Sequence, residues 1–186
     1  MKSEESNLLS GCLSGNKIAQ RMLYEQYSPR LFAICMQYAS NKDDAEDILQ
    51  DVFIKIFEKI KQYKGEGSFE GWMRRITVNT AIKQYHKHNK MNAVWNTAIP
   101  ENILEEEIKE EERNYDYTID QLLEMIQMLA PGYRIVFNLY VIEEHSHKEI
   151  AEMLNISEGT SKSQLARARV ILQKMLNEKR KISENA

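Results

Sequence analysis

Residues 145–176 read HSHKEIAEMLNISEGTSKSQLARARVILQKML, and this stretch decides how the second half of the chain is interpreted. Apolar residues recur at helical spacing on both sides of Asn155-Ile156-Ser157, which predicts two amphipathic helices joined by a tight turn. Ser157 is placed to cap the second helix, where free amides and the positive end of the helix dipole suit a phosphate. The stretch therefore predicts a helix-turn-helix whose inward-facing residues are Ile150, Ala151, Leu154, Leu165, Ala168, Leu172, Met175 and Leu176.

The second helix of this pair is basic, because residues 160–181 carry seven basic side chains and one acidic one. A helix of this kind in a major groove places its N-terminal residues on base edges and its later basic residues on phosphates. Arg167 is the best candidate for a bidentate contact to guanine, whereas Lys162, Arg169 and Lys174 fit phosphates. The alternative, in which the two arginines are ordinary surface residues, stays open.

The region upstream of this stretch extends the same helical domain toward the N-terminus. Apolar residues from Ile119 to Leu129 predict a helix that Pro131-Gly132 stops. The segment 133–144, YRIVFNLYVIEE, then predicts one further apolar helix. A second domain over residues 119–186 follows from this pattern.

The first half of the chain shows the same periodicity. A stripe from Ala45 to Ile60, which includes Phe53, predicts an amphipathic helix, and a similar stripe from Tyr27 to Tyr38 precedes it. Residues 41–44 offer a turn and an N-cap between the two. The glycine-containing segment KGEGS at 64–68 breaks the pattern before a stripe of Phe69, Trp72, Met73 and Ile76 restarts it. A first helical domain over residues 1–90 results.

Composition excludes several classes of protein. With 42% hydrophobic and 28% charged residues, 7 Gly and 3 Pro, the chain predicts an all-α protein and disfavours turn-rich β folds. Cys12 and Cys35 cannot build a disulfide framework, and no apolar run or signal sequence is present, so we expect a cytoplasmic protein without membrane insertion. The pairs His86/His88 and His145/His147 point apart on a helix and have no third ligand nearby, so no metal site is expected. No Ser/His/Asp or Cys/His constellation is supported by spacing, so no catalytic site or cofactor is expected either.

Charge divides the chain into segments of different character. The formal net charge is −3, yet residues 91–118 alone carry −6 and separate two neutral or basic halves. Within the first half, residues 42–58 hold six acidic and two basic groups, whereas residues 59–90 hold two acidic and eight basic groups. This layout predicts two basic faces, an acidic helix and a flexible acidic linker at 91–118.

Three signatures occur in order along the chain: DDAEDILQDVFIKIF at 43–57, GSFEGWMRRITVNTAIKQY at 67–85 and EIAEMLNISEGTSKSQLARAR at 149–169. With an acidic linker between the second and the third, the chain resembles a bacterial RNA polymerase sigma factor of the extracytoplasmic-function type, over roughly residues 8–90 and 119–178. The resemblance implies a non-enzymatic subunit that brings core polymerase to specific promoters and helps to melt them.

The resemblance also implies roles for named residues. It places the dock for the coiled coil of the polymerase clamp at Asp47, Gln50, Asp51 and Phe53. It places minus-ten recognition and melting at Lys64, Ser68, Phe69, Trp72, Arg74, Arg75, Asn79 and Lys83. Such a site suits melted DNA, which needs a basic groove, aromatic surface and a pocket for an unstacked base. It places minus-thirty-five recognition at Thr160, Lys162, Ser163, Arg167 and Arg169.

Several alternatives stay open at this point. Trp72 belongs to the same stripe as Met73 and Ile76, which favours a core aromatic over a DNA contact. Glu105 to Glu112 fit either a solvated spacer or a sigma linker in the RNA-exit path. Gln164 and Ala166 depart from the larger side chains common in relatives, so no promoter preference is inherited. A separate anti-sigma factor is expected. A helix-turn-helix regulator that is not a polymerase subunit, or a helical protein-interaction adaptor, would be the competing functions.

Overall fold

The computed structural model describes residues 2–91 and 117–184, and these residues contain helices and turns but no strand. They form two compact units, residues 1–85 and 86–186, each of which is considered by itself. The all-α prediction and the helix-turn-helix are confirmed. A 3₁₀ turn lies at Ile60–Gln62 and a π-helical turn at Asn138–Ile142. The α-helices are α1 Lys2–Leu13, α2 Lys17–Tyr38, α3 Lys42–Lys59, α4 Phe69–Met91, α5 Ile119–Met128, α6 Pro131–Phe137, α7 His147–Leu154 and α8 Glu158–Glu184.

The first unit is built on the α2–α3 hairpin that the sequence predicts. Asn41 ends the connection, and its Oδ1 accepts a hydrogen bond of 2.8 Å from the backbone N–H of Asp44, so it caps α3 as expected. The apolar stripes of both helices are buried against each other, and α4 completes this core with Phe69, Met73, Val78, Ala81 and Ile82. Burial of these stripes provides the main stabilisation of the unit.

Helix α1 is an element that the sequence pattern did not predict. It lies against α2, and Gly11 makes the approach possible, because a Cβ atom there would sit 2.6 Å from the Cβ of Ala19. Gly15 then turns the chain with φ of +76° before Asn16 caps α2. Small residues at the crossing, not a strong apolar stripe, position this helix.

In the second unit, the predicted role of Pro131 is wrong. Helix α5 already ends at Met128, and Pro131 occupies the first position of α6, where its missing N–H costs no hydrogen bond. Proline therefore starts a helix here and does not stop one. The apolar segment 133–144 is also not one regular helix, since it passes from α6 into the π-helical turn.

The helix-turn-helix forms as predicted. Ser146 caps α7 through a reciprocal capping box with Glu149, and α7 ends on Asn155, which adopts a left-handed conformation with φ of +54°. Ser157 caps α8, and its Oγ accepts a hydrogen bond of 3.0 Å from the N–H of Thr160. Tyr133, Leu129 and Ala168 form the core beneath α8.

Both cysteines lie inside the first unit. Cys12 and Cys35 are free and buried. Burial raises the pKa of both thiols and takes that of Cys35 to about 12. None of the helices in the described part of the chain is long and apolar enough to span a membrane.

Candidate nucleic-acid interface

The acidic face of α3 presents three of the four residues that the resemblance assigns to a polymerase dock. Asp47, Gln50 and Asp51 are exposed. Phe53, by contrast, is 4% exposed and packs between Tyr24 and Phe57, with ring centroids 4.6 and 6.0 Å away. Phe53 belongs to the buried stripe of α3, so it supports the helix from beneath and is not part of the surface.

Sequence reasoning missed Ile54, which takes the place of Phe53 on this face. Its side chain is 57% exposed. Because Gln50, Asp51 and Asp47 precede it by four, three and seven residues, all four share one side of α3. We call these four residues the acidic face. An exposed apolar side chain beside two carboxylates and an amide suits a partner that presents both basic and apolar groups.

The loop at residues 64–68, which we call the glycine loop, is held at both ends. Gly65 and Gly67 have φ of +77° and +79°, a region that side-chain-bearing residues rarely adopt. The hydroxyl of Tyr63 donates a 2.9 Å hydrogen bond to the carbonyl of Gly67. Ser68 caps α4, because its Oγ accepts a 3.0 Å hydrogen bond from the N–H of Gly71. The loop is therefore a shaped backbone.

An aromatic cluster lies under the glycine loop. The rings of Phe69 and Trp72 stack at 5.5 Å, and Tyr63 lies 5.1 and 5.7 Å from them. Phe69 is only 2% exposed, whereas Trp72 is half-buried. The ring of Phe69 is thus closed to a DNA base in this structure and supports the loop from inside. Trp72 packs in the cluster, as a core aromatic would, and part of its ring stays exposed. Its role in minus-ten binding stays a prediction.

The outer side of α4 carries the remaining candidates for single-stranded DNA. Arg75, Asn79 and Lys83 are exposed and recur every four residues, so they form one face, and Lys64 is exposed in the adjoining loop. Arg74 is half-buried. These five side chains provide four positive charges and one amide, the combination that tracks a phosphate backbone and hydrogen-bonds a base edge.

The recognition helix α8 starts with a network of hydroxyl groups. The Oγ atoms of Ser157 and Thr160 lie 2.9 Å apart, and Ser163 donates a 3.0 Å hydrogen bond to the carbonyl of Thr160. Lys162 is exposed nearby. The first turn of α8 is therefore polar and held by hydrogen bonds made by its own hydroxyl groups.

The two arginines of α8 lie on different flanks. Arg167 is half-buried and Arg169 is exposed. Two residues on a helix are about 200° apart, so these guanidinium groups diverge around the buried face that contains Ala168. Gln164 is 9% exposed and its Oε1 has no hydrogen-bond partner, so it faces the interior and does not present a base-reading group.

The sequence did not predict a cluster of side chains beside Arg169. The Arg169 guanidinium carbon lies 5.8 Å from the centre of the Tyr140 ring, and that ring stacks on His147 at 4.5 Å. The Nδ1 atom of His147 lies 2.9 Å from the Oγ of Ser161. Burial, followed by the charge of Lys162, lowers the pKa of His147 below its ordinary value. The only sequence signal was the His145/His147 pair, which was considered from the sequence as a metal site and rejected.

Among the described residues, no group of three or more His, Cys, Asp or Glu side chains could hold a metal ion. The acidic linker at 91–118, including Glu105 to Glu112, lies almost wholly outside the described residues. Its interpretation stays a prediction.

Comparison with known proteins accounts for both halves of the chain. Residues 23–91 match the family described as sigma-70 region 2, and residues 119–172 match sigma-70 region 4. Together the two matches cover most of the chain and both units. The segment that the sequence predicts to be a linker lies between the two matched ranges.

Three relatives are all described as RNA polymerase sigma factors of the extracytoplasmic-function (ECF) type. The chain is 29% identical to the ECF RNA polymerase sigma factor SigE of Mycolicibacterium smegmatis over 79% of its own length and 57% of the relative's. It is 27% identical to the ECF sigma-E factor of Haemophilus influenzae over 86% and 88% of the two chains. It is 26% identical to SigW of Bacillus subtilis over 88% and 92%.

Solved structures give a weaker likeness. The sigma factor RpoE of Bartonella quintana, solved with the anti-sigma factor NepR, aligns with a TM-score of 0.48 at 21% identity over 84% of this chain and 96% of that chain. CnrH, solved with the cytosolic domain of CnrY, aligns with a TM-score of 0.46 at 19% identity over 92% and 96%. Sigma factors are transcription initiation factors and not enzymes. The chain belongs to the sigma-70 family, as an RNA polymerase sigma factor of the extracytoplasmic-function type.

Proposed function

We propose that this sigma factor divides promoter recognition among three surfaces. The acidic face of α3 docks on the coiled coil of the polymerase clamp. The glycine loop and the outer side of α4 hold the melted minus-ten strand, and α8 reads the minus-thirty-five element. The observation that carries the proposal is the opposite charge of the exposed faces of α3 and α4 within one small unit.

For the dock, three acidic or amide side chains share one side of α3 with an exposed isoleucine. Asp47, Gln50 and Asp51 provide electrostatic complementarity to a basic partner, which steers association and sets specificity. Ile54 supplies an apolar centre that can be desolvated on binding. Phe53 contributes indirectly, because its packing against Tyr24 holds the surface residues of α3 in place.

For the minus-ten element, the shaped glycine loop offers a site for an unstacked base. Lys64, Arg75 and Lys83 attract the phosphate backbone, and Asn79 can hydrogen-bond a base edge. Trp72, which is half-buried, is the aromatic side chain of this set with surface left for stacking. Phe69 and Ser68 act through the loop by holding its end at the start of α4.

For the minus-thirty-five element, the first turn of α8 and its two arginine flanks enter the major groove. Thr160, Lys162 and Ser163 lie where the helix meets DNA, and Arg167 is placed to read guanine. We also propose domain boundaries of 1–90, 91–118 and 119–186. Two tethered modules reinforce each other through effective concentration, so neither contact needs to be tight alone.

The competing functions fit less well. A helix-turn-helix regulator or a protein-only adaptor accounts for the region 4 match but not for a region 2 match over residues 23–91. A cytoplasmic location follows from a polymerase partner and is proposed on that ground. A separate anti-sigma partner is also proposed, on the ground of membership in the extracytoplasmic-function type.

Run-off transcription from a pool of genomic fragments tests the function directly. Core polymerase with this protein is expected to produce promoter-selective transcripts that core polymerase alone does not. The strongest template then identifies the promoter. Identical transcript profiles with and without the protein would contradict the proposal.

The dock is tested by reversing the charge of the acidic face. The double variant Asp47→Lys/Asp51→Lys should lower the affinity for core polymerase at least about tenfold, since like charges then meet across the interface. Affinity is measured by fluorescence anisotropy with labelled core enzyme. The control is Glu25→Lys/Glu124→Lys, which changes the net charge equally at exposed positions outside the acidic face. Equal affinity of the two variants would refute the assignment.

A further inference from the structure

The cluster beside α8 joins three elements of the second unit. Tyr140 comes from the π-helical turn, His147 from the first position of α7, and Ser161 and Arg169 from α8. Contacts link them in one chain, from Ser161 through His147 and Tyr140 to Arg169. This series of contacts holds the Arg169 side chain against the stacked rings of Tyr140 and His147.

We propose that Tyr140 and His147 are positioning residues that aim Arg169 at a DNA phosphate. The inference rests on the proposed function of α8 in minus-thirty-five binding. A guanidinium within about 6 Å of a tyrosine ring is attracted by the electron-rich face, which restricts the arginine to fewer rotamers. Less conformational entropy is then lost when Arg169 meets the phosphate.

The ring pair is itself well supported. The hydrogen bond between the Nδ1 atom of His147 and Ser161 fixes the imidazole plane, and Ser161 is fully buried. Tyr140 stacks on that plane with an angle of 24° between the rings. The lowered pKa of His147 favours a neutral imidazole at neutral pH, so no extra charge repels Arg169.

The π-helical turn explains how Tyr140 reaches this place. A π turn widens the helix by one residue and is frequent at functional sites. It extends from Asn138 to Ile142 directly after α6 and shifts the register of the residues that follow. Arg167 on the other flank of α8 has no counterpart to this ring pair among the ring contacts of the described residues.

The experiment measures promoter affinity of the complete holoenzyme, with the strongest fragment from the run-off selection as probe. Tyr140→Leu should weaken binding about 2- to 5-fold, the range of a partly exposed cation–π contact. It should also reduce the slope of log affinity against log salt by the same amount as Arg169→Ala, about one phosphate contact. Tyr140→Phe keeps the ring and should bind like the original protein.

A double-mutant cycle separates positioning from general stability. Tyr140→Leu should add nothing in the Arg169→Ala background, whereas it should combine multiplicatively with Arg167→Ala. His147→Gln offers a second route, since it removes the stacked ring, and its smaller loss should also vanish with Arg169→Ala. Thermal melting of each variant verifies folding.

Three outcomes would overturn the inference: multiplicative losses for Tyr140→Leu and Arg169→Ala, an unchanged salt slope in Tyr140→Leu, or a Tyr140→Phe variant as weak as Tyr140→Leu. A wild-type holoenzyme that binds equally well with a scrambled minus-thirty-five element would instead contradict the proposed function of α8. The two failures are therefore distinguishable.

Discussion

The two surfaces proposed to hold DNA use aromatic residues in different ways. In the first unit, Phe69 and Tyr63 lie beneath the glycine loop and fix the backbone, while Lys64 and Arg75 remain exposed. In the second unit, Tyr140 contacts the guanidinium of Arg169 directly and fixes the side chain. One surface therefore combines a supported backbone with exposed charges, and the other holds a charge against an aromatic ring.

This difference matches the two forms of DNA. Melted DNA has no fixed shape, so a protein gains from a preformed pocket and tolerant ionic contacts. A duplex presents phosphates at fixed positions, so an oriented guanidinium pairs with one of them at lower entropic cost. The comparison predicts that variants of the first unit act through the backbone and stability, and those of the second unit through single contacts.

The largest effect is expected where the backbone support is removed. Phe69→Ala deletes a fully buried ring and should lower the free energy of unfolding of the first unit by about 3–5 kcal/mol. Urea denaturation followed by circular dichroism measures this value. Trp72→Ala should cost less because that ring is half-buried. Equal losses in the free energy of unfolding for Phe69→Ala and Trp72→Ala would contradict the distinction between a buried supporting ring and a partly exposed one.

A smaller effect is expected from strain in the glycine loop. Gly67→Ala places a side chain at φ of +79° and should cost about 1–2 kcal/mol. Transcription from a duplex promoter should fall further than transcription from a template already melted at the minus-ten element. Gly15→Ala is the control, since Gly15 has φ of +76°, equally open surroundings and a place outside the loop. If both variants lowered the ratio of transcription from the duplex template to transcription from the melted template equally, the shape of the glycine loop would have no specific role in promoter melting.

The smallest effect concerns protonation of His147. Its pKa is lowered from 6.5, first by burial and then by Lys162, with Arg169 acting in the same direction and Glu158 opposing. The unfolded chain therefore binds the proton more readily. The contribution to stability is complete above pH 6.5 and is lost as pH falls below that value through the lower pKa of the folded state. The melting temperature of wild type relative to His147→Gln should decrease between pH 7.5 and 5.5. A difference independent of pH would contradict this.

The helices and their caps could be predicted from local pattern. Asn41 and Ser157 cap as expected, because a cap depends on the side chain and on amides two or three residues away. The apolar stripe of α3 also placed Phe53 inside correctly, whereas the resemblance placed it on the surface. Where the two disagreed about Phe53, the apolar periodicity was right, because it indicates directly which side of the helix is buried.

The contacts beside Arg169 could not be predicted in the same way. Tyr140, His147 and Arg169 are separated by 7 and 22 residues and come from the π-helical turn, α7 and α8, so they meet only in the folded unit. Apolar periodicity does not report such a turn, since the segment 133–144 is apolar on several sides. Residue pairs joined by tertiary packing need the fold before they can be recognised.

The buried thiols have a practical consequence for measurement. At neutral pH a thiol whose pKa is about 12 is ionised in only about one molecule in 10⁵, and alkylating dyes react with the thiolate. Cys12 is also buried, and the sequence contains no third cysteine. A single cysteine introduced at exposed Lys61 or Glu152, neither of which is assigned a DNA contact, should therefore accept a fluorophore selectively in the otherwise unaltered chain. Promoter opening and upstream binding could then be timed separately on the same protein.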